Sequence, residues 1–94
     1  MNTVVGTMAT TRPERYAKQL LSHWAARGPV TEEAGALVQR WEDGQVIRLR
    51  PAEDVLEIVV QVAEDSDVNR FAEVVKKHLE RFGQRDELNV VWDS

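Results

Sequence analysis

The sequence contains no cysteine among its 94 residues, and this absence excludes three kinds of chemistry. Disulfide bonds, thiolate metal sites and cysteine nucleophiles all need the missing side chain. The absence also fits a reducing compartment, because disulfides persist mainly in oxidising ones. A packed core must therefore supply the stability. The length predicts one domain over residues 1–94, with a frayed start over residues 1–5.

Common enzyme motifs are missing as well. The five glycines are scattered, so no Gly-x-Gly-x-x-Gly segment or other phosphate-binding loop is present. No Gly-x-Ser-x-Gly turn is available to present a nucleophilic serine. The two histidines do not show the His-x-His or His-x-x-x-His spacing of a metal site. The sequence therefore nominates no catalytic residue and indicates no cofactor.

The charge and the hydropathy pattern restrict the partners. The formal net charge is −4, whereas a dedicated nucleic-acid binder normally shows a basic face, so no nucleic-acid partner is expected. The first residues lack the basic and apolar regions of a signal peptide. No apolar run approaches the length of a membrane span. We therefore expect a cytoplasmic protein with no membrane partner.

The first part of the chain predicts a strand followed by a helix. Residues 3–10 are rich in threonine and valine, which favour strands. Thr11 and Glu14 then form a capping-box pattern around a proline, which predicts a helix start. The helix is expected to run to about Arg27 and to end at the Gly-Pro pair that follows.

The middle of the chain alternates between apolar and polar residues, which predicts three strands. Asp43-Gly44 separates the first two and is typical of a hairpin turn. In the first strand, Leu37, Gln39 and Trp41 share one side. The predicted strands cover residues 35–41, 46–50 and 55–63.

A second helix and a last strand complete the pattern. The run Asp65-Ser66-Asp67 offers candidate N-caps. The apolar side chains that follow have helical spacing up to Phe82, and Gly83 ends the helix. Leu88, Val90 and Trp92 then alternate. The order β-α-β-β-β-α-β predicts an α+β fold: a two-layer sandwich with both helices on one face of a mainly antiparallel sheet.

The two histidines are candidate site residues. His23 and His78 each lie at the rim of an apolar helical stripe, and both stripes should face the same sheet. We therefore expect the two imidazoles to be close together, because adjacent helices pack about 8–10 Å apart. One interpretation is a shared ligand, metal or proton site. The other is two histidines at the edge of the core, each satisfied by backbone or water.

Arginines follow the second histidine and predict an anion-binding edge. Arg81 and Arg85 could combine with Arg12 and Arg15, since guanidinium groups suit carboxylate and phosphate. The alternative is that these arginines serve the helix dipole and solubility. The uncovered sheet face is expected to be mixed in charge and could instead form a dimer interface. Its predicted residues are Arg40, Arg48, Arg50, Glu57, Val59 and Gln61.

Two sequence blocks resemble a bacterial family called domain of unknown function 2218. The resemblance implies a small bacterial protein, either alone or joined to siderophore-interacting flavin reductases, and it covers nearly the whole chain. The resemblance favours a functional role for four residues that fall within the family motifs, namely His23, His78, Arg81 and Phe82. It is weakest over residues 30–51. The blocks are Arg15-Tyr16-x-x-Gln19-Leu20-x-x-His23 and His78-Leu79-x-Arg81-Phe82.

The leading interpretation is a non-enzymatic binding or accessory protein, linked to iron or siderophore metabolism through the resemblance. It would bind a small anionic ligand, a protein partner or a second copy of itself. The alternative is a metal-binding protein or an enzyme that uses His23 and His78. The candidate ligand-binding residues are Tyr16, His23, His78, Arg81 and Arg85.

Overall fold

The protein folds into one six-stranded sheet with two helices, described for residues 2–93 by a computed structural model. The predicted α+β class and two-layer arrangement are confirmed. Two short 3-10 turns, Ala25–Arg27 and Gln84–Asp86, follow the helices. In chain order the elements are β1 Asn2–Ala9, α1 Pro13–His23, β2 Val30–Glu33, β3 Ala36–Arg40, β4 Val46–Ala52, β5 Val55–Val62, α2 Val68–Phe82 and β6 Val90–Trp92.

The strands lie in the order β2-β3-β4-β5-β1-β6, and every neighbouring pair is antiparallel. Helix α1 packs mainly on β4 and β5, and α2 packs mainly on β5 and β1. The helices therefore cover one face of the sheet, which we call the covered face. The opposite side, the open face, carries no helix.

Strand β5 shows how alternating residues determine which side chains face the helices and which lie on the open face. Leu56, Ile58, Val60 and Val62 alternate along the strand, and each is fully buried against the helices. The residues between them are half-buried on the open face. The apolar stripes of α1 and α2 complete the core, with Leu20 and Leu79 fully buried. Burial of this alternating set fixes the register, because a one-residue slip would expose all of it.

The segment after α1 differs from the prediction in two ways. The α-helix ends at His23, and residues up to Arg27 form a 3-10 turn instead of continuing the helix. The chain then enters an additional short strand, β2, which pairs with β3 at the sheet edge. Gly28 makes this path possible, because a Cβ there would clash with the carbonyl oxygen of Arg40.

The predicted capping box of α1 is wrong. The helix begins one residue later than that motif requires, so Arg12 occupies the N-cap position and caps no amide with its side chain. The hydroxyl of Thr10, and not that of Thr11, accepts a hydrogen bond from the Arg12 amide at 3.0 Å. By contrast, the Asp67 carboxylate caps α2 and accepts from the amides of Asn69 and Arg70.

Strand β1 begins at the first residue that the structure describes. Asn2 pairs with Val62 of β5, and Met1, the first residue of the predicted frayed segment, lies outside the described residues. Neither α1 nor α2 is long and apolar enough to cross a membrane, and residues 2–93 contain no other α-helix.

Candidate functional site

The two histidines lie side by side where α1 ends. His23 is the last residue of α1, His78 lies on α2, and their ring centroids are 5.1 Å apart. The predicted proximity is therefore confirmed. The Nδ1 atom of His78 lies 2.8 Å from the Val74 carbonyl oxygen. Because a carbonyl can only accept, this hydrogen bond places a proton on Nδ1 and leaves Nε2 available as an acceptor in the neutral ring.

The histidine pair begins a continuous run of ring contacts. His78 contacts Trp24 at a centroid distance of 4.9 Å, and Trp24 meets Trp41 edge to face at 5.1 Å. Trp41 in turn meets Phe71 of α2 edge to face at 5.1 Å. Edge-to-face contacts of this kind stabilise aromatic pairs beyond the area they bury. The run therefore holds α1, α2 and the β3–β4 hairpin in one fixed arrangement.

A fully buried glutamine organises this arrangement. The Gln39 amide nitrogen donates to the carbonyl oxygens of Trp24 at 2.8 Å and Gly28 at 2.9 Å. Its oxygen accepts from the indole Nε1 of Trp41 at 2.9 Å. One side chain of β3 therefore ties the 3-10 turn after α1 to the orientation of the Trp41 ring.

The turn places a guanidinium group on an aromatic ring. The Cζ atom of Arg27 lies 5.0 Å from the centroid of Trp41, in a cation–π position. Beside it opens a groove of about 640 Å³ between the turn, the β3–β4 hairpin and the first half of α2. We call it the aromatic groove, defined by Trp24, Arg27, Trp41, Gln45, Arg70, Phe71 and His78.

Three side chains that line the groove lack a hydrogen-bond or ion-pair partner for at least one polar group among the described residues. The Oε1 atom of Gln45 is buried and accepts no hydrogen bond within residues 2–93. Arg27 and Arg70 lie in none of the ion pairs between described residues. Asp67 also lines the groove, but its carboxylate already caps α2. A buried acceptor without a donor costs free energy.

A second, more polar hollow lies at the other end of the helices. It has a volume of about 330 Å³, and we call it the arginine hollow, defined by Arg12, Arg15, Arg81 and Arg85 around Tyr16 and Asp86. The Tyr16 hydroxyl donates to Asp86 Oδ2 at 2.8 Å. This hydrogen bond, with a smaller contribution from burial, raises the pKa of Tyr16.

The structure thus divides the five candidate residues between two places. Tyr16, Arg81 and Arg85 line the arginine hollow, together with the predicted Arg12 and Arg15. His78 lines the aromatic groove, and His23 packs beside it without lining the groove.

Sequence reasoning missed most of the groove. The sequence predicts Arg27 inside a helix, whereas the structure places it on a 3-10 turn. Trp24 belongs to the core and Trp41 packs against it, and both also line the groove. Gln39 gave a usable signal, because a glutamine on the buried side of a strand must find internal partners. The pairing of Arg27 with Trp41 could not be read from the sequence, because it depends on the 3-10 turn.

Metal binding at the histidine pair lacks further protein ligands. Within residues 2–93, no group of three or more histidine, aspartate or glutamate side chains is close enough to hold a metal ion. A site at His23 and His78 would therefore have two protein ligands, whereas structural zinc sites have four and catalytic ones usually three.

The fold and the groove define a small two-layer α+β protein with a surface cavity between its helices and a hairpin. The sequence model of the family described as "Uncharacterized protein conserved in bacteria (DUF2218)" matches residues 5–93, so the chain belongs to this family. The same fold occurs in the NMR structure of PA4090 from Pseudomonas aeruginosa, with a TM-score of 0.75 and 19% sequence identity over 99% of this chain and 96% of that one. No curated protein matches the sequence.

Proposed function

We propose that this protein is a small-molecule-binding accessory protein whose ligand lies in the aromatic groove. The observation that carries the proposal is the position of the Arg27 guanidinium over Trp41, in a groove that Gln45 also lines. Ligand sites commonly combine an apolar, concave wall with a few convergent polar groups. The aromatic groove has both features, and its volume of about 640 Å³ lies in the range of small-molecule sites.

The polar groups of the groove specify the ligand further. Arg27 and Arg70 line the groove together with two carboxylates, Asp43 and Asp67, and guanidinium geometry matches a carboxylate group of a ligand. Gln45 also lines the groove, and its side-chain amide can form a hydrogen bond with a ligand hydroxyl group. The indole and phenyl rings favour a flat apolar body. A hydroxylated aromatic carboxylate combines all three properties.

This ligand class supports the link to iron metabolism that the family resemblance implies. Adjacent hydroxyl and carboxylate oxygens on an aromatic ring are hard donors of the type that bind iron(III). We propose that the protein binds such a chelating molecule, or a fragment of one, in the cytoplasm. The absence of cysteine is compatible with that compartment.

Tryptophan fluorescence tests the proposal, because Trp24 and Trp41 both line the groove. We expect 2,3-dihydroxybenzoate to quench the signal saturably. We expect benzoate and catechol to bind more weakly, because benzoate lacks both hydroxyl groups and catechol lacks the carboxylate. Arg27→Gln should weaken binding about tenfold, the equivalent of about 1.4 kcal/mol. The control Arg48→Gln removes the same charge outside both the groove and the arginine hollow and should leave binding unchanged. No saturable quenching, or equal binding by Arg27→Gln and the parent, would contradict the proposal.

The second candidate function is metal binding by the histidine pair, which the 5.1 Å separation of the rings favours. It is tested by an NMR titration of both imidazoles with Zn²⁺ or Fe²⁺. Chemical shifts that saturate and disappear in His23→Ala/His78→Ala would support this alternative. Unchanged shifts would reject it.

A further inference from the structure

The arginine hollow brings together charges that are distant in sequence. Arg12 and Arg15 come from the start of α1, whereas Arg81 comes from the end of α2 and Arg85 from the turn after it. All four line one depression of about 330 Å³. The fold, and not a run of basic sequence, therefore creates this concentration of positive charge.

The charge in the hollow is largely uncompensated. Its lining contains four arginines and one acidic residue, Asp86, in a chain whose formal net charge is −4. None of the four arginines lies in an ion pair within residues 2–93. All four side chains are exposed, so a bound anion can reach them and would reduce the repulsion between their charges.

The floor of the hollow is ordered by a buried side chain. Tyr16 is 5% exposed, and its hydroxyl holds the Asp86 carboxylate at 2.8 Å. This contact fastens the Gln84–Asp86 turn, and with it Arg85, against the first turn of α1. Asp86 accepts this hydrogen bond from the neutral Tyr16 hydroxyl and not from an arginine, so the guanidinium groups remain free to bind a ligand.

The first turn of α1 adds to the positive electrostatic potential of the arginine hollow. Arg12 caps no amide with its side chain, so the positive end of this helix lacks the carboxylate cap that Asp67 gives α2. The one acidic residue of the first turn, Glu14, forms an ion pair with Lys18 at 2.8 Å. Helix N-termini favour anions through their free amides and the helix dipole. The same turn carries Arg12 and Arg15, so the helix reinforces the arginines.

We infer that the arginine hollow is a second ligand site, separate from the aromatic groove, for a compact oxyanion that carries two or more negative charges. Phosphate esters, diphosphates and polycarboxylates share this chemistry, and guanidinium groups bind all of them through paired hydrogen bonds. A nucleic acid fits less well, because its backbone needs an extended basic track and the rest of this chain is acidic.

Isothermal titration calorimetry tests the inference with inorganic pyrophosphate and citrate as probes at constant ionic strength. We expect saturable binding of at least one probe, and the stronger of the two identifies the phosphate or the polycarboxylate class. Arg81→Gln/Arg85→Gln should weaken binding at least tenfold. The control Arg48→Gln/Arg50→Gln removes the same charge from the open face and should change the affinity less than twofold.

Three results would overturn the inference. They are no saturable binding of either probe, an equal loss in the two double variants, and tighter binding of a short mixed oligonucleotide than of either probe. Circular dichroism and thermal unfolding of each variant show whether a loss of binding reflects a loss of folding. Arg27→Gln should bind both probes like the parent, so failure of the groove proposal and failure of this one can be told apart.

Discussion

On the covered face of the sheet, Gln39 is fully buried and uses both ends of its amide for hydrogen bonds to Trp24, Gly28 and Trp41. Its neighbour Arg40 points to the open face, where an exposed ion pair joins it to Glu33. A buried polar group must find an internal partner, whereas an exposed one can exchange its partner for water. Polar residues of the covered face therefore fix the geometry of the aromatic groove, and those of the open face add little.

Truncating neighbouring residues of β5 should give the largest contrast between the faces. Ile58 is fully buried, so Ile58→Ala should lower the free energy of unfolding by about 2–5 kcal/mol through lost burial and a cavity. Val59, the next residue, is half-buried on the open face, and Val59→Ala should cost about 1 kcal/mol or less. Urea unfolding measures both values. Equal losses would show that the two faces are packed alike.

Replacing one glutamine on each face compares how much a polar side chain contributes to stability on the covered face and on the open face. Gln39→Leu leaves the carbonyls of Trp24 and Gly28 and the Trp41 indole without their partner, which should cost about 2–3 kcal/mol. Gln61→Leu loses only a long, exposed hydrogen bond to Thr3 and should change the stability little. Urea unfolding measures the loss, and the tryptophan spectrum should change in Gln39→Leu alone. Equal stability of the two variants would contradict the organising role of Gln39.

The hydrogen bond from Tyr16 to Asp86 gives a smaller, pH-dependent effect. Tyr16→Phe should cost about 1 kcal/mol at neutral pH. The bond raises the pKa of Tyr16, so its contribution is complete below the unfolded pKa near 10 and is lost as pH rises through the folded pKa. Thermal unfolding between pH 7 and 11 should therefore show the parent approaching the variant. A difference that grows with pH would contradict the assignment.

The ion pair of the open face should give the smallest effect. Hydrogen bonds from Arg40, and secondarily from Thr31, lower the pKa of Glu33 to about 2. The pair therefore stabilises the fold above the unfolded pKa, and this contribution is lost as pH falls through about 2. Glu33→Gln should lower the melting temperature slightly at neutral pH and not at pH 2. A large effect at neutral pH would contradict the comparison.

The sequence predicts the fold better than the site because each depends on a different kind of information. Alternation in β5 and the apolar stripe of α2 are local patterns, and burial enforces them. The position of His23 near His78 also followed from two such stripes facing one sheet. The aromatic groove depends instead on where α1 stops. The 3-10 turn that carries Arg27 is set by Gln39 and by the close approach of Gly28 to Arg40, which are contacts between distant segments.

The most direct test follows the three indole Nε1–H signals by NMR during a titration with 2,3-dihydroxybenzoate. Trp24 and Trp41 line the aromatic groove, whereas Trp92 lies on β6 outside it and serves as the internal control. We expect the signals of Trp24 and Trp41 to shift together and to saturate while that of Trp92 stays in place. Three unmoved indole signals, or a shift of Trp92 as large as that of Trp41, would contradict ligand binding in the aromatic groove.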